Sequence, residues 1–189
     1  MTGKTHQIIG LCVGIGTYLL FAPHIYGPAS FAAAVVVSSL GSLLPDIDSP
    51  NGKIWGYLPF GRTASELVNP FLQHRNLTHS FLGVFLVALG VRAIGHHIPT
   101  YWGLDIRHIQ IAGLAAYLSH LVADMVTVEG IPLLFPIPRM YGLPPHPFAA
   151  LRIETGHWFE NLIIFPLVNI ALIALVILHW PTIQRFLFQ

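Results

Sequence analysis

Two long stretches of this chain contain no acidic or basic side chain. Residues 5–45 and residues 161–184 include no Lys, Arg, Asp or Glu. Only 9% of the 189 residues are charged, whereas a typical soluble domain has about 25%. A soluble globule needs charged side chains on its surface. The sequence therefore excludes an ordinary cytosolic domain and a nucleic-acid binder with a basic surface, and it predicts one integral membrane domain over residues 1–189.

The apolar stretches predict an all-α fold, a polytopic membrane bundle of about five transmembrane helices. A spanning helix needs roughly 20 predominantly apolar residues. We place the five helices at about residues 7–22, 29–44, 80–95, 106–126 and 160–180. Small residues are frequent in the first three, which suits close helix packing in a bilayer. The first could instead be a cleaved signal peptide, but no A-x-A site directly follows it, which favours a retained helix.

The connections between these helices alternate in length. Those after the second and fourth helices are long, about residues 45–79 and 127–159. Residues 131–147 contain six prolines and cannot form a regular helix, so we interpret them as a re-entrant or interfacial lid, with a plain surface loop as the alternative.

Six Lys and Arg residues fall on the N-terminal side of the membrane and three on the other. The positive-inside rule therefore favours an N-terminus inside the cell.

Ionisable residues occur in four clusters at the ends of the predicted helices. Burying such a group in a bilayer costs free energy, so each cluster needs an explanation. The clusters are His6; Asp46 with Asp48; His74, Arg75, Thr78 and His79; and His120 with Asp124. Five alternating helices place all four clusters on the same side of the membrane, whichever way the protein inserts. The topology therefore predicts one polar site on that side.

The residue types in these clusters are those of a metal site. His120 and Asp124 are four residues apart, so a helix presents them on one face. An extended turn after Pro45 would point the carboxylates of Asp46 and Asp48 the same way. The predicted ligands are His6, Asp46, Asp48, His74, His79, His120 and Asp124. This set suits one or two divalent ions, with zinc favoured over manganese or iron, although hydrogen-bonded pairs and turn residues explain each cluster taken alone.

Three further residues are candidates for catalysis, namely Arg75, Thr78 and Glu160. Arg75 could hold a phosphate anion or form a salt bridge with Asp46 or Asp48. Thr78 could donate a hydrogen bond to the same anion, and a helix N-cap is its alternative role. Glu160 could be a general base or a further ligand, or it could be a favourable charge at the start of its helix.

At these residues the sequence resembles the YdjM-like family of prokaryotic inner-membrane proteins, described as metal-dependent hydrolases. The matching pieces are His6 and residues 44–48 (LPDID), 74–80 (HRNLTHS), 119–124 (SHLVAD) and 130–136 (GIPLLFP). The resemblance covers essentially the whole chain. It implies a small helical membrane enzyme with a metal site at the inner face of the cytoplasmic membrane, and it implies no particular substrate.

Three functional hypotheses follow from this set of residues. The first is a metal-dependent hydrolase of a lipid or lipid-linked phosphoester, whose tail would lie in the bilayer. The second is a metal-binding transporter, but transporters bind near the midplane between repeated halves, and no repeat is visible here. The third is a non-catalytic structural membrane protein with a locked polar cluster. The expected partners are membrane lipids, and no nucleic acid is expected.

Overall fold

The computed structural model describes residues 1–22, 27–49, 52–57, 59–68, 77–99 and 102–188. In these ranges the chain is helical, apart from two isolated β-bridges and irregular connections. The α-helices are α1 Gly3–Phe21, α2 Pro28–Leu43, α3 Gly61–Val68, α4 Phe81–His97, α5 Ile106–Met125, α6 Phe165–Leu178 and α7 Trp180–Leu187. The all-α prediction is confirmed.

Short helical segments of other types extend or connect these α-helices. They are the 3-10 segments Leu44–Asp48, Lys53–Tyr57, Leu77–His79 and Phe148–Leu151, and the π-helical segment Glu160–Ile164. The first continues α2 directly, because a proline is tolerated in the first turn of a helix. The sequence predicted an extended turn at Asp46 and Asp48, and that prediction is wrong.

The number of helices that meet the requirements of a membrane span is smaller than the sequence predicted. In the described ranges, two stretches are long and apolar enough, namely Pro28–Asp48 and Glu160–Leu178. Helix α4 is apolar but shorter. Helices α1 and α5 have 19 and 20 residues, but polar side chains near their ends make them less apolar. Length and composition therefore support two of the five predicted spans in the described ranges.

Helices α1, α2 and α5 form the centre of the bundle and pack pairwise against one another. Small residues let their backbones approach closely. A Cβ atom added to Gly41 of α2 would lie only 2.5 Å from the carbonyl oxygen of Gly113 in α5. Tyr18 and Ala112 are fully buried in the apolar core between these helices. This tight three-helix packing fixes the relative positions of the ends of α1, α2 and α5.

Helix α6 lies at the outside of the bundle and has no buried residue. Leu167, Ile170, Ile173 and Ile177 are each about 60% exposed or more. Soluble monomers rarely expose a contiguous apolar surface of this kind. The outward face of α6 therefore has the character of a lipid-facing surface.

The proline-rich segment between α5 and the Glu160–Ile164 segment contains no helix over residues 131–147, as the prolines predicted. Ile131 and Tyr141 exchange two backbone hydrogen bonds, of 2.9 and 2.8 Å. The Arg152 guanidinium donates hydrogen bonds of 3.0 Å to the carbonyl oxygens of Pro144 and Gly142. These contacts hold the segment in a defined fold at the end of α5.

Candidate metal centre

Six of the predicted metal ligands lie together where α1, α2, α4 and α5 end or begin. They are His6, Asp46, Asp48, His79, His120 and Asp124. Five of the six lie on α1, on α5 or in the 3-10 segment that continues α2, and the packing of these three helices brings them to the same end of the bundle. His79 ends the 3-10 segment that precedes α4. His74, the seventh predicted ligand, and Arg75 lie outside the described residues.

Asp124 is the centre of the cluster and is 2% exposed. Its Oδ1 atom lies 3.0 Å from Nε2 of His6. Its Oδ2 atom lies 3.5 Å from Nε2 of His79 and 3.5 Å from Nε2 of His120. The α-amino group of Met1 also reaches Oδ1, at 2.5 Å. One buried carboxylate is thus surrounded by three imidazole rings.

His120 is held with one ring nitrogen facing the cluster. Its Nδ1 atom lies 2.6 Å from the carbonyl oxygen of Ser42, to which it must donate a proton. The other nitrogen, Nε2, then presents a lone pair toward Asp46 at 3.6 Å and Asp124 at 3.5 Å. Nε2 is buried and has no hydrogen-bond partner among the described residues. A backbone carbonyl that fixes the ring in this way is the usual outer partner of a metal-bound histidine.

Asp48 and Thr78 lie behind His79, at its Nδ1 atom. The Thr78 hydroxyl donates a 2.6 Å hydrogen bond to Oδ2 of Asp48, which lies 3.5 Å from Nδ1 of His79. Burial alone would lower the pKa of His79, but the nearby carboxylates of Asp124 and Asp48 hold that pKa above its usual value. Asp48 and Thr78 therefore orient His79 from outside the cluster. The N-cap of α4 is Ser80, not Thr78, because the Ser80 hydroxyl accepts from the Gly83 amide.

The donor atoms form two overlapping groups with the spacing of a coordination sphere. His6, His120 and Asp124 form one group, and Asp46, His79 and His120 form the other, with the atoms in each group within 4.8 Å of one another. Ligand atoms about 2.1 Å from a tetrahedral zinc ion lie roughly 3.4 Å apart. The 3.5 and 3.6 Å separations in the cluster match that spacing and are long for hydrogen bonds. The residues present fit a divalent ion.

Glu160 lies near the cluster but is bonded elsewhere, and it is fully buried. Its Oε1 atom accepts hydrogen bonds from the Thr2 amide and hydroxyl, both 2.7 Å, and from the Thr5 hydroxyl at 2.6 Å. Its Oε2 atom accepts from the Gly156 amide at 2.7 Å. Glu160 thus ties the start of α1 to the segment that precedes α6. These bonds fix the position of His6, the residue after Thr5.

Two contacts of the site were not anticipated from the sequence. The Ser42 carbonyl is a backbone group, so no side-chain pattern signals its role. The Tyr117 hydroxyl donates a hydrogen bond to the carbonyl oxygen of Thr78. Tyr117 is three residues before His120 and shares its helix face with Asp124, and this spacing was a signal that could have identified it.

Comparison with known proteins gives a family match and several similar proteins. A family model described as YdjM inner membrane protein matches residues 1–186. The chain is 30% identical over 166 residues to a Bacillus subtilis protein named "Uncharacterized protein YvsG". The aligned region covers 87% of this chain and 88% of that protein. It is 34% identical over 144 residues to the inner membrane protein YdjM of Escherichia coli, covering 76% of this chain and 70% of that protein. No solved structure matches the chain.

Proposed function

The chain belongs to the YdjM inner membrane protein family, as its motifs predicted, and we propose that it is a membrane-embedded metal-dependent hydrolase. The proposed substrate is a lipid or a lipid-linked phosphoester, and the proposed site is the His/Asp cluster at the cytoplasmic face. One observation carries this proposal: three imidazoles surround the buried carboxylate of Asp124. Buried ionisable groups in membrane proteins are costly and mark functional sites.

The proposed ligands are the five residues whose donor atoms face one another in the cluster. They are His6, Asp46, His79, His120 and Asp124. The two oxygens of Asp124 face different histidines, which suits either one ion or two ions that share this carboxylate. A mixture of imidazole and carboxylate favours zinc, with manganese or iron as alternatives. A divalent ion held there would supply Lewis acidity toward a phosphoryl oxygen and a nearby water molecule.

The other predicted catalytic residues have distinct proposed roles. Arg75, which lies outside the described residues, would hold the anionic group of the substrate. Thr78 would position Asp48, since its hydroxyl donates to that carboxylate. Glu160 would position His6 through Thr5, since its carboxylate already accepts four hydrogen bonds. Of these three residues, Arg75 alone is proposed to touch the substrate.

The proposed topology keeps five spans with the N-terminus inside. Helices α1, α4 and α5 would cross the membrane beside the two more apolar stretches, because all of them pack in one bundle whose outer helix α6 has a lipid-facing surface. The cluster then lies at the cytoplasmic ends of the helices. Transporters bind their substrates near the midplane, so this position supports the hydrolase over the transporter.

A liposome assay tests the proposed activity. Purified protein would be reconstituted with zinc, manganese or iron and supplied with a panel of lipid phosphoesters, and phosphate or head-group release would be measured. We expect metal-dependent release by the wild type and background release by an Asp46→Ala, His120→Ala double variant. The matched control is Glu154→Ala, His157→Ala, which removes an exposed acid–histidine pair and should keep full activity. Full activity in the first double variant would overturn the proposal.

A further inference from the structure

An apolar pocket of about 390 Å³ lies between α2, α4 and α5, next to the candidate metal centre. Its walls include Val37, Leu40, Leu44, Val87, Val91 and Tyr117. Its volume falls in the range of sites that hold small molecules. None of its residues is a proposed metal ligand, so the pocket needs an explanation of its own.

The pocket exists because α4 packs against α5 and scarcely touches α2. Two hydrogen bonds hold α4 in this position. The Tyr117 hydroxyl donates to the Thr78 carbonyl just before α4 begins. Further along α4, the side-chain amide of Gln110 donates a 2.6 Å hydrogen bond to the Val91 carbonyl. Gly113 lies between these two anchors on α5 and lines the pocket without a side chain. The gap is therefore built into the packing of α4.

Two walls of the pocket are formed by segments that also carry residues of the metal cluster. Leu44 and Ile47 line the pocket and flank Asp46 in the 3-10 segment after α2. Tyr117 lines it from α5, on the helix face that also bears His120 and Asp124. A molecule with an apolar part in the pocket would therefore have its other end close to the cluster.

We propose that this pocket holds one hydrocarbon chain of a phosphate-bearing membrane lipid, with the phosphate at the metal cluster. The chain chemistry follows from the lining, which is aliphatic except for Tyr57 and Tyr117. Both tyrosine hydroxyls already form hydrogen bonds, with Gln7 and with the Thr78 carbonyl. Such a lining binds methylene groups, because the transfer of each methylene group from water into an apolar pocket is favourable. The position of the phosphate rests on the proposed function, whereas the binding of the chain does not.

Photo-crosslinking in liposomes tests the proposal on the full-length protein. The probe is phosphatidic acid with a diazirine in its acyl chain, and labelled residues are mapped by peptide mass spectrometry. We expect labelling of the pocket walls at Val37, Leu40, Leu44, Val87 and Val91. A Val91→Trp substitution fills the pocket and should lower this labelling about tenfold, as the loss of a few methylene contacts implies. Leu89→Trp, on the exposed face of α4, is the matched control and should leave the labelling unchanged.

Each outcome separates this inference from the proposed function. Wild-type labelling of the walls that Val91→Trp does not lower, or labelling confined to the outer face of α6, would overturn the pocket assignment. If Val91→Trp does not fold, Val87→Phe makes the same test from the same helix face. The Asp46→Ala, His120→Ala variant should keep wall labelling while losing hydrolysis. Labelling of the walls without any hydrolysis by the wild type would overturn the proposed hydrolase function and would still support the lipid pocket.

Discussion

The imidazole rings of His6 and His120 stack face to face, with centroids 3.6 Å apart and planes 13° from parallel. The two rings come from α1 and α5, which are far apart in the sequence. Both are buried, and two imidazolium cations at this distance would repel each other strongly. Two neutral imidazole rings therefore lie beside one carboxylate, and these are groups that bind a divalent ion.

Replacing His6 with Phe tests the role of its nitrogen atoms. The phenyl ring can keep the stack on His120, so the fold should remain. The substitution removes Nε2 of His6, the proposed metal-binding atom that faces Asp124. Loss of a residue that only orients a metal ligand typically lowers metal affinity roughly 10–100-fold. Because His6 is proposed to bind the ion directly, we expect its loss to lower zinc affinity by more than that. The measurement is a competitive titration against a zinc-binding dye. Unchanged affinity would remove His6 from the ligand set, and His157→Phe, at an exposed position, controls for the substitution.

Thr78→Val removes the hydroxyl that donates to Asp48 and keeps the shape of the side chain. Because Asp48 orients His79, we expect zinc affinity to fall roughly 10–100-fold. Thr78→Ser retains the hydroxyl and should restore most of that loss in the same titration. If both variants bind zinc like the wild type, Thr78 has no positioning role.

Glu160→Gln should destabilise the fold, because both carboxylate oxygens accept from donors. An amide nitrogen would face either the Gly156 amide or the Thr2 and Thr5 groups, leaving a buried donor unsatisfied at a cost of about 1–3 kcal/mol. Thermal unfolding in detergent measures this change.

Glu154→Gln is the control for that substitution, since the Glu154 side chain is 65% exposed. Its unfolding should change by less than about 0.5 kcal/mol. Unaltered stability of Glu160→Gln together with a complete loss of hydrolysis would instead assign Glu160 to catalysis.

Gly41→Ala tests the close packing of α2 on α5 that brings the ligands together. The added Cβ would meet the Gly113 carbonyl oxygen at 2.5 Å, so the helices must shift, at a cost of about 1–3 kcal/mol. Gly90→Ala on α4 is the matched control, because nothing lies within 4 Å of its added Cβ. That change should be neutral or stabilising by up to about 1 kcal/mol. Equal unfolding temperatures for the two variants would contradict the packing account.

The sequence predicted the shared location of the clusters because helix ends can be read from local patterns. His120 and Asp124 are one helical turn apart, so their common face follows from the helix period. Alternating helices then place His6 and His79 at the same end. The structure brings these residues within a few ångströms of Asp124, a proximity that only tertiary packing defines.

Other features depended on long-range contacts and could not be read locally. The partners of Glu160 are Thr2, Thr5 and Gly156, and the first two are at the far end of the chain. A different reason applies to the continuation of α2 through Pro45, because proline permits either an extended turn or the first turn of a helix. In the described ranges, two of the five predicted spans meet the length and hydropathy of a membrane span, because α4 is shorter and polar side chains near the ends of α1 and α5 lower their hydropathy.

The most direct test of the metal site is metal content. Wild-type protein and Asp124→Ala, each purified in detergent, would be analysed by inductively coupled plasma mass spectrometry after reconstitution with zinc, manganese or iron. Thermal unfolding would confirm that the variant is folded, and Asp124→Asn provides a second variant of nearly unchanged shape. We expect metal bound to the wild type and a loss of at least roughly tenfold in the variants. A metal-free wild type, or equal metal content in all three proteins, would contradict the account.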